Sequence, residues 1–123
     1  MRDLETKRLI LSPTQNSWEI VPRSLGEPVG TIFFGKSSVK GFVSLELTID
    51  GGWRYGFLSE AVAAVIRYLF ENTDTIYISA DGAIYNKELI ECGMRPQLRG
   101  ELGGGYRIYK KEFEKGACDK AFQ

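Results

Sequence analysis

The chain has 123 residues, 43% of them hydrophobic and 26% charged, which is the size and makeup of one ordinary globular domain and argues against disordered and membrane-embedded classes. Sixteen basic residues balance sixteen acidic ones, so no general positive field draws the protein to nucleic acid, and a bound anion must be caught locally. Histidine is absent, which removes the commonest general base and the commonest metal ligand, so neither a metal site nor a His-dependent triad is expected.

The opening MRDLETKRL is charged rather than apolar, and the greasiest run, AVAAVIRYLF, is interrupted by Arg67 and too short to span a bilayer. A cytoplasmic, reduced protein with no membrane partner is the expectation. Lys7 to Ser12 reads as a first strand, with turn chemistry in SPTQN, and WEIVP as a second. LGEP turns the chain into a third strand, Val29 to Gly35, and GKSSVKG forms a hairpin turn. These strands form an antiparallel meander.

FVSLELTID then alternates, with Val43, Leu45, Leu47 and Ile49 on one face and Ser44, Glu46 and Thr48 on the other. Past Phe57 the period changes. Ala61, Val62, Val65, Ile66, Leu69 and Phe70 recur at helical spacing, predicting a helix from about Leu58 to Glu71. Thr75 to Ala80 is the next strand, and strand, helix and strand in succession require a right-handed crossover with the two strands parallel and adjacent. Asp81 offers an N-cap to a second helix, closed by Gly93 at C′. YRIYKKEF reads as a last strand. Residues 1–113 are expected to form a single domain, followed by a loose polar tail at 114–123. Cys92 and Cys118 fit neither a disulfide framework nor a metal motif, and Cys92 reads as a small apolar residue near a helix end.

Between strand and helix lies GGWRYGFLSEA, Gly51 to Ala61. A strand that ends in a glycine-containing turn and launches a helix gathers free backbone N–H groups at the positive end of the helix dipole, which suits an anion. Gly56 would admit the anion closely, with Ser59 as a hydroxyl donor and Arg54 as a charge. The loop matches neither G-x-x-x-x-G-K-[ST] nor G-x-G-x-x-G. Its spacing also fits a plain turn with Trp53 and Phe57 packed in the core.

Three motifs in order decide between these readings. LETKRLILSP (Leu4 to Pro13), GWRYGFLSEA (Gly52 to Ala61) and LIECGM (Leu89 to Met94) resemble the opening, the acyl-CoA loop and the late helix of the GCN5-related N-acetyltransferase (GNAT) superfamily, in its RimJ/RimL-like branch of ribosomal-protein N-terminal acetyltransferases. The resemblance implies an α+β, GNAT-like acyl-CoA N-acyltransferase fold. Its central twisted sheet is mostly antiparallel, with one parallel strand pair splayed at the CoA site, and it has two main helices. It also implies an acetyl-CoA-dependent transfer of acetyl to a primary amine, either a protein N-terminus or a small amine.

In this family the pyrophosphate is held by the loop's backbone amides, which carries over to Arg54, Tyr55, Gly56, Phe57, Leu58 and Ser59. The pantetheine arm pairs with the edge at Thr48, Ile49 and Asp50. With no histidine, a carboxylate acting through water is the candidate base, and Glu46 stands on the polar face of the right strand; it also fits a surface glutamate. Where the family has N-x-x-S, this chain has Gly82, Ala83, Ile84 and Tyr85. Tyr85 is then either the general acid, with a phenol pKa of about 10, or an aromatic packed against the cofactor. Asn86 and Lys87 are neighbouring cofactor contacts.

Two departures count against a full match. Leu58 replaces a small residue where backbone passes phosphate and is expected to weaken cofactor binding. Only PTQNS stands where the family inserts two helices that wall the acceptor site, so these N-terminal helices are absent. A second subunit can supply the missing wall, so a homodimer is expected. The same departures fit a non-catalytic acyl-CoA-binding or dimerisation module.

Overall fold

Alternation of apolar and polar residues builds the first half of the computed structural model, which describes residues 2–53, 56–81, 84–96 and 105–115. Strands β1 (Leu4–Glu5), β2 (Leu9–Pro13), β3 (Ser17–Pro22), β4 (Gly30–Lys36) and β5 (Phe42–Ile49) pair antiparallel in chain order. Helix α1 (Phe57–Asn72) then returns the chain so that β6 (Tyr77–Ala80) lies parallel to β5, as the crossover rule requires. After α2 (Asn86–Glu91), β7 (Arg95–Pro96) and β8 (Tyr106–Tyr109) complete an eight-stranded sheet of order β1-β2-β3-β4-β5-β6-β8-β7. A short α3 (Lys110–Glu114) follows.

Three elements differ from the sequence reading. The first strand is shifted to Leu9–Pro13, because Leu4–Glu5 forms an edge strand of its own and the Thr6 N–H donates to the Leu9 carbonyl (2.9 Å) to make the turn between them. The last strand stops at Tyr109. The Glu112 carboxylate accepts the Tyr109 N–H (3.0 Å) and Arg107 Nη1 (2.8 Å), so KKEF coils into α3 instead of extending β8. Asp81 is not the N-cap of α2: it lies exposed just past β6, while the helix begins at Asn86 with Tyr85 ahead of it.

The other end of α2 follows expectation. Gly93 takes φ 93°. Its N–H bonds the Ile90 carbonyl and the Met94 N–H bonds the Leu89 carbonyl, both at 3.0 Å, which is a Schellman closure with Leu89 and Met94 both buried.

One face of the sheet holds the core. Trp18, Ile20, Ile32, Leu45 and Ile78 pack there against Val62, Ile66 and Phe70 of α1. Each such buried side chain contributes about 1.5–3 kcal/mol. Cys92 Sγ donates to the Ser59 carbonyl (3.1 Å) and ties α2 to the first turn of α1, while Phe113 of α3 meets Phe70 at 5.3 Å between ring centres. All three helices therefore gather on this face. The opposite face carries Glu19, Thr31, Phe33, Ser44, Glu46 and Thr48, partly or fully exposed, and among the described residues no helix covers it.

Candidate functional site

The parallel pair β5/β6 opens into a fork. Register runs from Phe42↔Tyr77 to Leu45↔Ala80 and stops, whereas β4 stays paired with β5 as far as Gly30↔Ile49. From Glu46 to Ile49 the strand therefore has a partner on one edge and, among the described residues, none on the other. An open strand edge presents unpaired N–H and C=O groups, which suits an extended amide-bearing ligand. Of the residues expected to pair with pantetheine, Thr48 and Ile49 lie on this stretch and Asp50 follows it, its N–H already donated to the Val29 carbonyl (2.8 Å).

The loop leaving β5 starts with a 3-10 turn, Gly51–Trp53, and Gly56 caps α1 with φ 79° and ψ −38°. Only glycine adopts that conformation without strain, so its position at the mouth of the helix is dictated by backbone sterics. Phe57, Leu58 and Ser59 form the first turn, whose N–H groups have no intrahelical acceptors. Arg54 and Tyr55 lie outside the described residues. On either side of them, the Trp53 and Phe57 rings meet edge to face at 5.3 Å, half-buried against the core.

Leu58 corrects the sequence-based expectation. Its side chain is 0% exposed and belongs to the core cluster, so its bulk points inward and away from the loop's open side. Ser59 is also buried, and its hydroxyl donates to the Gly56 carbonyl (3.3 Å) rather than outward.

A positive charge reaches the cradle from β2's approach instead. Arg8 lays its guanidinium over the Phe57 ring, 4.2 Å from the centroid, and a methyl group built on Gly56 would lie 3.1 Å from Arg8 Nη2. Glu60, in the first turn of α1, fixes this arrangement: it takes Arg8 Nε (2.8 Å), the Arg8 N–H (3.1 Å) and the Thr6 hydroxyl. Burial pushes the Glu60 carboxyl up, but the hydrogen bonds from Thr6 and Arg8 outweigh it and hold it below its ordinary value. With Nε engaged, the two terminal nitrogens of Arg8 remain at the Gly56 end of the helix. The first-turn amides, the positive end of the helix dipole and the Glu60-paired Arg8 guanidinium all lie at the Gly56 end of α1, where an anion is favoured.

The sequence reading did not identify this trio. Thr6 and Arg8 lie inside LETKRL, but nothing local marks a partner more than fifty residues away.

Glu46 stands at the fork's vertex, the first residue beyond the last β5/β6 pair, exposed on the helix-free face opposite Phe33. Tyr85 stands at the start of α2, half-buried against the core. Gly82 and Ala83 lie outside the described residues. Lys87 is exposed, and the Asn86 carboxamide oxygen accepts the Lys87 N–H (2.8 Å). Among the described residues no group of His, Cys, Asp and Glu could hold a metal ion, and no helix is long and apolar enough to cross a membrane.

No protein-family model matches the chain, and no curated protein matches it by sequence. Solved structures do. The N-terminal domain of a ribosomal-protein-alanine acetyltransferase from Clostridium acetobutylicum superposes with a TM-score of 0.71 at 15% identity, over 91% of this chain and 98% of that one. A GNAT-family acetyltransferase from Bacillus anthracis gives 0.64 at 18%, over 78% and 67%. AAC(6')-Ib, solved in complex with ribostamycin and coenzyme A, gives 0.60 at 18%, over 80% of this chain and 66% of that one. The chain has the GNAT acyltransferase fold, a mostly antiparallel sheet with one parallel pair.

Proposed function

We propose that this protein, built on the GNAT fold, is an acetyl-CoA-dependent N-acetyltransferase whose acceptor is a primary amine. The observation that carries the reading is the fork: an open β5 edge, an anion cradle and a carboxylate converge where β5 and β6 part. The residues present fit the CoA group. Gly56 leaves the cradle open where a side chain would crowd it, and Arg8 adds the charge that a pyrophosphate requires.

Acetyl-CoA supplies an acetyl thioester. Phe57, Leu58 and Ser59 would hold its pyrophosphate through backbone amides beside Arg8, and the β5 edge at Thr48, Ile49 and Asp50 would hold the pantetheine. Glu46, through water, accepts the proton that the acceptor ammonium must lose before its nitrogen can attack; an α-amino group with a pKa of about 8 loses it more easily than a lysine at about 10.4. A C–N bond then forms at the carbonyl carbon and the C–S bond breaks. Tyr85 gives a proton to the departing sulfur, the acylated nitrogen loses its second proton to water, and solvent reprotonates Tyr85, giving an N-acetyl amide and free thiol.

The test is thiol release from acetyl-CoA across a panel of amines and peptides. Glu46→Gln is expected to lower kcat/KM by about 100-fold or more, and Tyr85→Phe to lower kcat while leaving CoA affinity near wild type. Wild-type release no greater than that of Tyr85→Phe on every acceptor would refute transfer. Thermal stabilisation by CoA without turnover would identify a non-catalytic acyl-CoA-binding module.

A further inference from the structure

The helix-free face of the sheet has a polar row of which the acetyl-transfer chemistry uses only the Thr48 end. Ser12, Glu19, Thr31 and Thr48 are register partners across β2, β3, β4 and β5, one residue from each strand, on the same face as Glu46. The row ends at Thr48, two residues past Glu46 on the fork-forming strand. Its β3–β5 half lines an open cavity of about 400 Å³ together with Asp50. Neither the Glu19 nor the Glu46 carboxylate has an ion pair or hydrogen bond among the described residues. The Glu19 and Asp50 carboxylates in this trough, and the Glu46 carboxylate outside it beside Phe33, share one exposed face and are complementary to a ligand bearing more than one positive charge.

The spacing narrows the ligand. Glu19 and Glu46 are two strands and two residues apart, which places their Cα atoms about 12 Å from each other. Small-molecule sites enclose most of their ligand, and this face is open, so a small amine would bury little of itself here. An extended peptide buries area along its length. With its terminal amine at Glu46, a peptide advancing about 3.4 Å per residue carries the side chain of its second or third residue toward Glu19, and the four-carbon stem of a lysine covers the remainder.

We infer that Glu19 is a specificity-determining residue that selects acceptor peptides with lysine or arginine at the second or third position, with Asp50 adding to the negative potential of the same trough. This rests on the acetyltransferase reading for the role of the bound amine, but the charge selection stands on the trough alone. Arg107, also on this face, is already engaged by Glu112 (2.8 Å) and lies beyond β6, on the far side of Glu46 from Glu19.

The experiment measures binding of three C-terminally labelled hexapeptides to the full chain by fluorescence anisotropy, with lysine, serine or glutamate at positions two and three. Turnover of the same peptides with acetyl-CoA is read in parallel. The lysine peptide is expected to bind about three- to fivefold more tightly than the serine peptide, the size of one well-placed half-exposed ion pair, with the preference shrinking at 0.5 M salt. Glu19→Gln should bring the two affinities together, and Glu19→Lys should invert the order in favour of the glutamate peptide. Equal affinities in wild type, or an unchanged preference in folded Glu19→Lys, would overturn the inference. So would a dimer in sedimentation that buries Glu19 and excludes all three peptides. Charge-dependent binding with no turnover of any peptide, nor of any small amine in the panel above, would leave the trough's selectivity in place and refute the transferase reading instead.

Discussion

Shortening Leu58 to alanine asks whether this residue obstructs the cradle or supports it. Its side chain is 0% exposed within the main core cluster, at the second position of α1. Removing a fully buried leucine costs the lost transfer energy plus a cavity term, about 2–5 kcal/mol. The site lies in the first helical turn, where the backbone relaxes more readily than in the middle of a helix, so the lower half of that range, about 2–3 kcal/mol, is expected. In urea, with m of about 1–3 kcal/mol/M, this moves the unfolding midpoint down by about 0.7–3 M at constant m. Because the side chain points into the core, CoA affinity measured calorimetrically on the folded variant should change by less than about twofold. A gain in CoA affinity of about tenfold, which is 1.4 kcal/mol, together with little loss of stability, would refute the argument and show that Leu58 crowds the phosphate.

Gly56→Ala forces a non-glycine residue to φ 79° and sets its methyl 3.1 Å from Arg8 Nη2, so it should cost about 1–2 kcal/mol in chemical denaturation and weaken CoA binding as well. Gly30→Ala would drive a methyl to 2.4 Å from the Thr48 carbonyl oxygen, a backbone atom that cannot yield without separating β4 from β5; a melting temperature within about 2 °C of wild type would contradict this. Glu60 has a carboxyl held below its ordinary value, so it contributes stability that is present above the unfolded glutamate pKa of about 4.3 and is lost as the pH falls through the lowered value. Glu60→Gln should therefore be less stable than wild type near pH 7 by about 1–3 kcal/mol, with the deficit shrinking as acid titrates the wild-type carboxylate. A pH-independent difference in urea midpoints would argue against the Thr6–Arg8–Glu60 trio. Arg8→Ala should weaken CoA binding more at low salt than at high, whereas Arg8→Lys restores the charge but not the guanidinium's stacking on Phe57.

The elements that the sequence determined by itself are those written in local periodicity. Alternation over β5, the helical stripe from Ala61 to Phe70 and the glycine that closes α2 each need only neighbouring residues, and a strand, helix and strand in succession leave one handedness for the crossover. Local rules failed where a side chain from elsewhere along the chain took over. Glu112 turned the end of a strand-like run into α3, and Leu4–Glu5 became an edge strand because Thr6 folded the chain back onto Leu9.

The site divides in the same way. Gly56 and Glu46 could be placed from sequence because a turn and a strand face are local properties. The orientation of Leu58 could not, since a bulky residue in a glycine loop reads the same whether it points at a ligand or into a core. The Thr6–Arg8–Glu60 trio, the row from Ser12 to Thr48 and the vertex, after Leu45, of the splayed pair that the family resemblance implied are juxtapositions across strands. Register and crossover create them by bringing residues remote in sequence to within a hydrogen bond or a strand spacing, and only the tertiary structure decides which residues those are.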